Sequence, residues 1–349
     1  MTRDELVARV RGGEPVSRVD LQGLDLTGAE LAGGIFEEVS FRGARLDGAS
    51  FKESILTRCD LSGAELTGST LRHTTLERCA LVDARTHRAQ LVGARFIESD
   101  LSRADLDGAD LTVASAVKSS LQGARLTRAL MDRACLLECS TEGMDLTGAR
   151  LKNAVLLKAD LRATSLAGAT LEASALLDAA LTGADLRGLT LRATQFMRAT
   201  LCDADLSDAD LTQCNFNDAD LSRARLDGAT LTNALLIGAK LVEARLRGAR
   251  MRQALLQSAD LSRADATGAD LYQCNLTGAT ATGAVLRGAE FTYADLSRAD
   301  VSGADFSGAT LFRARFHRTI DRDAVFTARA TALGDDEPLA AAEAWRPAH

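Results

Sequence analysis

The chain has 349 residues, with 41 Lys and Arg against 48 Asp and Glu, a net charge of −7 and a pI near 5.3. That balance argues against direct nucleic-acid binding, which calls for a basic face. No run of about 18 apolar residues occurs, so no membrane span is expected. Asp4 and Glu5, with no apolar core behind them, do not read as a secretory signal.

Thr2 and Glu5 have the spacing of a capping box, and Leu6, Val7 and Val10 form one apolar helical stripe. Gly12 and Gly13 stop it. The pattern predicts a helix over residues 2–11, with residues 1–14 forming an N-terminal helical cap over whatever follows.

From Leu21 to Phe316 every fifth residue belongs to one column, without a slip in phase. Leu, Phe or Met fills it except at Thr86, Ala116, Thr141, Ala266, Ala281 and Val301. Two residues before the central position (i) the side chain is mostly Ala, with Ser, Thr, Cys or Gly elsewhere. Positions i−1 and i+1 are mostly polar. A helix would repeat at three and four. Alternation by two marks an extended segment with one buried face, and the fifth residue must turn a corner. Gly is common at i+2, as at Gly28 and Gly48. The three Pro (Pro15, Pro338, Pro347) lie outside the tract, as a hydrogen-bonded ladder demands.

Units such as Ala-Asp-Leu-Ser-Asp at 204–208 and Ala-Asp-Leu-Ser-Arg at 259–263 resemble the A(D/N)LxX consensus of pentapeptide repeat proteins. The resemblance implies an all-β solenoid: a right-handed quadrilateral β-helix with four units per coil and about fifteen coils. At a strand spacing of ~4.8 Å it would be about 72 Å long. On this reading residues 15–320 form the β-helix and 321–349 a C-terminal cap and flexible tail. A short capping helix is expected near 322–332, then a loose tail from about Gly334 that carries the lone Trp345.

With four units per coil, residues twenty apart stack, and each face is read as three outward columns. The faces that begin at Leu21 and Leu26 carry −5 and −2; those that begin at Leu31 and Phe36 carry +1 each. The Phe36 face stands apart. Its i+1 column reads Ile97, Val117, Leu137, Leu157, Leu177, Met197, Asn217, Ile237, and its i−1 column adds Val155, Leu235 and Leu255. Such a strip, about 34 Å long, is large enough to signal a partner. The flanking i+2 column alternates in sign: Arg78, Glu98, Lys118, Glu138, Lys158, Asp178. Adjacent opposite charges can pair. A second copy or another protein, the C-terminal tail, and no occupant at all are the three readings of the strip.

Catalytic chemistry, cofactors and metal sites find no support. His73, His87, His317 and His349 are scattered, and none falls beside a Cys. Cys59, Cys79, Cys139, Cys214 and Cys274 occupy i−2 and should be buried thiols, reduced in a cytoplasmic protein, although Cys59 and Cys79 stack closely enough for a disulfide. Tyr272, Tyr293 and Phe312, near Arg252 and Arg313, form either a small recognition patch or end packing.

The expected function is a non-enzymatic protein-interaction scaffold. More narrowly, the start of the repeat resembles pentapeptide domains that accompany type VI secretion spikes, which suggests an adaptor. The family resemblance also supplies an alternative, DNA mimicry with DNA gyrase as partner. Duplex DNA of that length would carry about 42 charges, far more than either acidic face.

Overall fold

The computed structural model describes residues 1–344; Trp345 and His349 lie outside them. The chain forms two compact units, Met1–Asp185 and Leu186–His349. Both are built from the same four-sided β-helical coil, and the chain passes through about sixteen turns in all.

The coil follows directly from the five-residue unit. The central Leu or Phe and the small residue at i−2 both point inward and are almost fully buried, as at Leu46 and Ala44 or Leu241 and Ala239. Burying each Leu contributes roughly 1.5–3 kcal/mol. Parallel pairing joins residues twenty apart, for example Asp25 with Arg45 and Leu235 with Leu255. Most corners are hydrogen-bonded turns. The N–H of Ala29 donates to the Leu26 carbonyl at 2.9 Å, and Gly28 between them holds φ at +63°. Positive φ recurs at i+2 along the chain, and more of these corners are occupied by other residues than by Gly. A non-glycine residue there costs about 1–2 kcal/mol. The corner N–H offsets this by bonding across to the next coil, as Glu53 does to Arg72 at 2.9 Å.

Five i−2 positions break the small-residue rule: Val19, Leu24, Val39, Met144 and Leu189. Val19 and Leu24 sit half-buried in the first coil, whereas Val39 and Met144 are fully buried. The polar central residues Thr86 and Thr141 are satisfied by the carbonyls of Asp105 and Asp160, each at 3.0 Å.

In the first unit, helix α1 (Arg3–Arg11) is capped by Thr2, and both bonds of the Thr2–Glu5 capping box form. Leu6 and Val10 are buried. Eight short strands follow on the Phe36 face: β1 (Val16–Ser17), β2 (Ile35–Glu37), β3 (Ile55–Thr57), β4 (Thr75–Glu77), β5 (Arg95–Ile97), β6 (Ser115–Val117), β7 (Cys135–Leu137) and β8 (Val155–Leu157). They pair in chain order as one parallel sheet. The solenoid thus begins one unit earlier than Leu21, because Val16 already occupies the central phase and pairs with Phe36.

The corners along this face are closed differently from the rest. Most corners close with a backbone bond from residue i+3 to i, whereas after β2 to β6 a side chain 23 residues on takes that carbonyl. Cys59 Sγ donates to Phe36 O at 3.6 Å, Cys79 Sγ to Leu56 O at 3.3 Å, and Ser99 Oγ to Leu76 O at 3.0 Å. Ser119 and Cys139 repeat the bond to Phe96 and Ala116. The Cys79 N–H in turn donates to Ser99 Oγ. Further along the face, at Ala179, the corner closes with the backbone bond to the Leu176 carbonyl at 3.3 Å. Cys59 and Cys79 are free thiols, as are all seven cysteines. The Cys59 contact and burial push the Cys79 thiol up. Cys139, expected to be buried, is half-buried.

In the second unit the column also runs on past Phe316. Residues 322–332 are not a helix. Strand β10 (Val325–Phe326) pairs with β9 (Asp305–Phe306), and a 3-10 turn follows at Arg329–Thr331. Phe326 keeps the five-residue phase and stacks on Phe306 at 4.8 Å, so ring packing overrides the helical preference of the Ala-rich segment. Helix α2 (Glu337–Ala344) comes after it. Its Glu343 pairs with Arg298, with Arg318 at 2.8 Å and with the buried His317 at 3.4 Å, so the described part of the tail is docked.

Candidate interaction face

Alternation in β5–β8 buries Phe96, Ala116, Leu136 and Leu156 and turns their neighbours outward. Ile97 pairs with Val117, Val117 with Leu137, and Leu137 with Leu157. Leu177 follows on the next rung, where its carbonyl accepts from the Lys158 N–H at 2.9 Å. The first unit therefore presents an unbroken apolar column of five side chains, about 19 Å long at strand spacing. Each is half-buried by its neighbours in the ladder. Beside it the i−1 column contributes Cys135, Val155 and Ala175, also half-buried.

Two residues of this face escaped the sequence reading. Ile35 and Ile55, on β2 and β3 in the i−1 column, are 48% and 47% exposed. Their position in the i−1 column is the signal that marks them in the sequence.

The second unit carries a separate, smaller group. Leu235 pairs with Leu255, and Ile237, 38% exposed, stands on the same rung as Leu235. Met197 is set apart from Ile237 by Asn217, whose side chain accepts from the Ile237 N–H at 3.0 Å.

The i+2 charges pair unevenly. Arg78 and Glu98 meet at 2.8 Å, and Arg18 and Glu38 at 2.9 Å. Lys118, Glu138 and Lys158, which border the apolar column, are exposed and have no ion-pair partner within 4 Å among the described residues.

On the two acidic faces Asp recurs at i−1, as at Asp60, Asp100, Asp260 and Asp300 on one and Asp105, Asp205, Asp265 and Asp305 on the other, and these columns are structural. The Asp at i−1 accepts the N–H two residues on, as from Ser62 to Asp60 at 2.8 Å and from Ser302 to Asp300 at 3.0 Å. This is an Asx turn that buttresses the corner. The Arg residues that interrupt the Leu26 face pair with acids one coil away: Arg45 with Asp25 at 3.1 Å, Arg85 with Glu65 at 3.3 Å, Arg245 with Asp227 at 2.9 Å. On that face Asp107, only 7% exposed, is gripped by Arg128 and Thr127, with His87 at 3.0 Å. The Arg128 guanidinium and the Thr127 hydroxyl hold its carboxyl below the ordinary range.

Tyr272, Tyr293 and Phe312 form an edge-to-face ladder at 6.0 Å spacings, with Arg252 over Tyr272 at 5.0 Å. Tyr293 and Phe312 are 44% and 51% exposed, so this is surface rather than end packing. The described residues contain no cluster of His, Cys, Asp and Glu able to hold a metal, and no helix long and apolar enough to cross a membrane.

Four-sided coils repeating every twenty residues, with one outward apolar ladder, define a β-helical protein whose distinguishing features are on its surface. The family model described as Pentapeptide repeats matches residues 20–128, 145–176 and 179–320, and the chain belongs to that family. No curated protein sequence matches it. Among solved structures it is similar to HetL, a pentapeptide repeat protein involved in heterocyst differentiation regulation in the cyanobacterium Nostoc sp. Strain PCC 7120. The identity is 25%, the TM-score 0.21, and 90% of this chain and 96% of that one are covered. It is also similar to QnrB1, a plasmid-mediated fluoroquinolone resistance protein, at 20% identity and a TM-score of 0.23, over 62% and 94% of the two chains. Rfr23 of the cyanobacterium Cyanothece 51142 aligns at 21% identity, a TM-score of 0.19, over 42% and 90%.

Proposed function

We propose that the protein is a non-enzymatic interaction scaffold of the cytoplasm, which binds a second copy or a protein partner through the outer face of β5–β8. The observation that carries this reading is the in-register column Ile97, Val117, Leu137, Leu157, Leu177, bordered at its centre by Lys118, Glu138 and Lys158, which have no ion-pair partner within 4 Å among the described residues. An apolar centre with a charged rim is the anatomy of an interface. The group Leu235, Ile237, Leu255 and Met197 of the second unit is a lesser part of the same proposal.

A type VI secretion adaptor is a narrower form of this reading and needs a partner that binds through the same column. The gyrase reading draws less support, because the Asp columns that would imitate phosphates are engaged by backbone N–H groups and by Arg.

The test is solution mass by light scattering and affinity capture of partners, with Leu157→Asp as the control. Loss of self-association or of a captured partner in the variant, with an unchanged circular dichroism spectrum, supports the face. A complex that survives Leu157→Asp removes it.

A further inference from the structure

The charges beside the apolar column choose among its occupants, and from them we infer that the occupant is a second copy of this chain, packed antiparallel with its two-fold axis midway between the Leu137 and Leu157 rungs. This rests on the reading of the face given above.

The argument begins with what the rim leaves undone. Earlier on this face the i+2 charges pair within the chain, as Arg18 does with Glu38 and Arg78 with Glu98. Beside the apolar rungs, Lys118, Glu138 and Lys158 are exposed, and among the described residues none has an ion-pair partner within 4 Å. Their signs alternate from one rung to the next.

An isologous interface sets a patch against itself. Two sheet faces can meet this way in two orientations. With the two-fold axis parallel to the stacking direction, each rung meets its own copy and the columns cross over, so the i+2 charges face the far edge and gain nothing. With the axis along the strands, each column meets itself running the opposite way. Apolar then meets apolar throughout, and alternating signs decide the register. An axis placed on the Leu137 rung would set Glu138 against Glu138 and Lys118 against Lys158. An axis midway between rungs sets Glu138 against Lys158 of the second copy, twice by symmetry. The same placement sets Leu137 against Leu157, Val117 against Leu177, and Cys135 against Val155. All of these outward side chains are half-buried already, and pairing them face to face removes the remaining apolar surface from water.

Opposite charges at a rim fix register and reject the wrong one. The test is therefore a charge-reversal cycle read by sedimentation equilibrium at low salt, where exposed pairs are least screened. The native chain should dimerise. Glu138→Lys and Lys158→Glu should each weaken the dimer roughly tenfold, and the double reversal should recover most of the loss. Thermal melts of the monomers report any effect on folding separately. A dimer that Leu157→Asp abolishes but the double reversal fails to rescue overturns the register and leaves the face standing. A dimer indifferent to Leu157→Asp overturns the face itself. A chain that stays monomeric at high concentration overturns the second copy as occupant and leaves only a partner of another kind.

Discussion

Single residues show where the five-residue code is tight and where it is loose. Gly34 occupies an i−2 position beside the clustered rings of Phe36, Phe41 and Phe51. A Cβ there would lie 2.5 Å from the Phe36 ring and 3.0 Å from the Leu31 carbonyl. Gly34→Ala should therefore destabilise the protein by about 1–3 kcal/mol, seen as an earlier midpoint in urea. Val113 is the opposite case, a β-branched residue held at φ +52° on a corner. Asn tolerates that conformation far better, and Val113→Asn should raise stability by about 0.5–1 kcal/mol. The Asp residues were legible in the sequence only as charge. Their role became visible with the Asx bonds, although the Ser or Thr two residues after many of them was a readable hint of that turn.

Among elements, α1 was fully readable, because the Thr2–Glu5 box and the stripe of Leu6 and Val10 are local signals. The strands were not. Five-residue periodicity reports burial, which is the same on all four faces; it is silent on which face closes its corner with a side chain. The donors are visible in the sequence only as a column of Cys and Ser set twenty residues apart, which by composition are simply small core residues. Cys79→Ala should cost about 1–2 kcal/mol by removing the donor to Leu56 O, whereas Cys79→Ser keeps the donor and should cost less. Hydrogen exchange at β3 and β4 would localise the difference. At the other end, the Ala-rich composition of 322–332 suggested helix, and the phase of Phe326 was the stronger and overlooked signal.

At the level of the whole molecule, acidity follows from the fold. Ser307 and Arg287 hold the Asp305 carboxyl at about 2, against an ordinary 3.8. Arg103 lowers Asp83, Arg223 lowers Asp203, and Ser302 lowers Asp300. Carboxyls depressed in the folded state add stability that is complete above the unfolded value and disappears as pH falls through the folded one. The thermal midpoint should stay level down to about pH 5 and decline between about pH 4 and 2. A midpoint that instead rose on acidification would contradict these assignments. The fold class was legible almost in full, since one phase held over sixty units leaves few alternatives. The candidate face was legible as a column, but its half-burial, its division between two units and the missing charge partners needed coordinates.

The twenty-residue register turns the chain into a clock with four hours. Deleting twenty residues from within the first unit, for instance 60–79, removes one full revolution and leaves every later side chain pointing where it did. Deleting five advances the hand by a quarter. Every side chain beyond the cut then swings to the next face, and Ile97, Val117, Leu137, Leu157 and Leu177 leave the side that holds Ile35 and Ile55, although the core column is as well filled as before. Natural length variation in such a protein therefore keeps the face of every later residue when it comes in twenties, and reassigns the faces when it comes in fives, tens or fifteens.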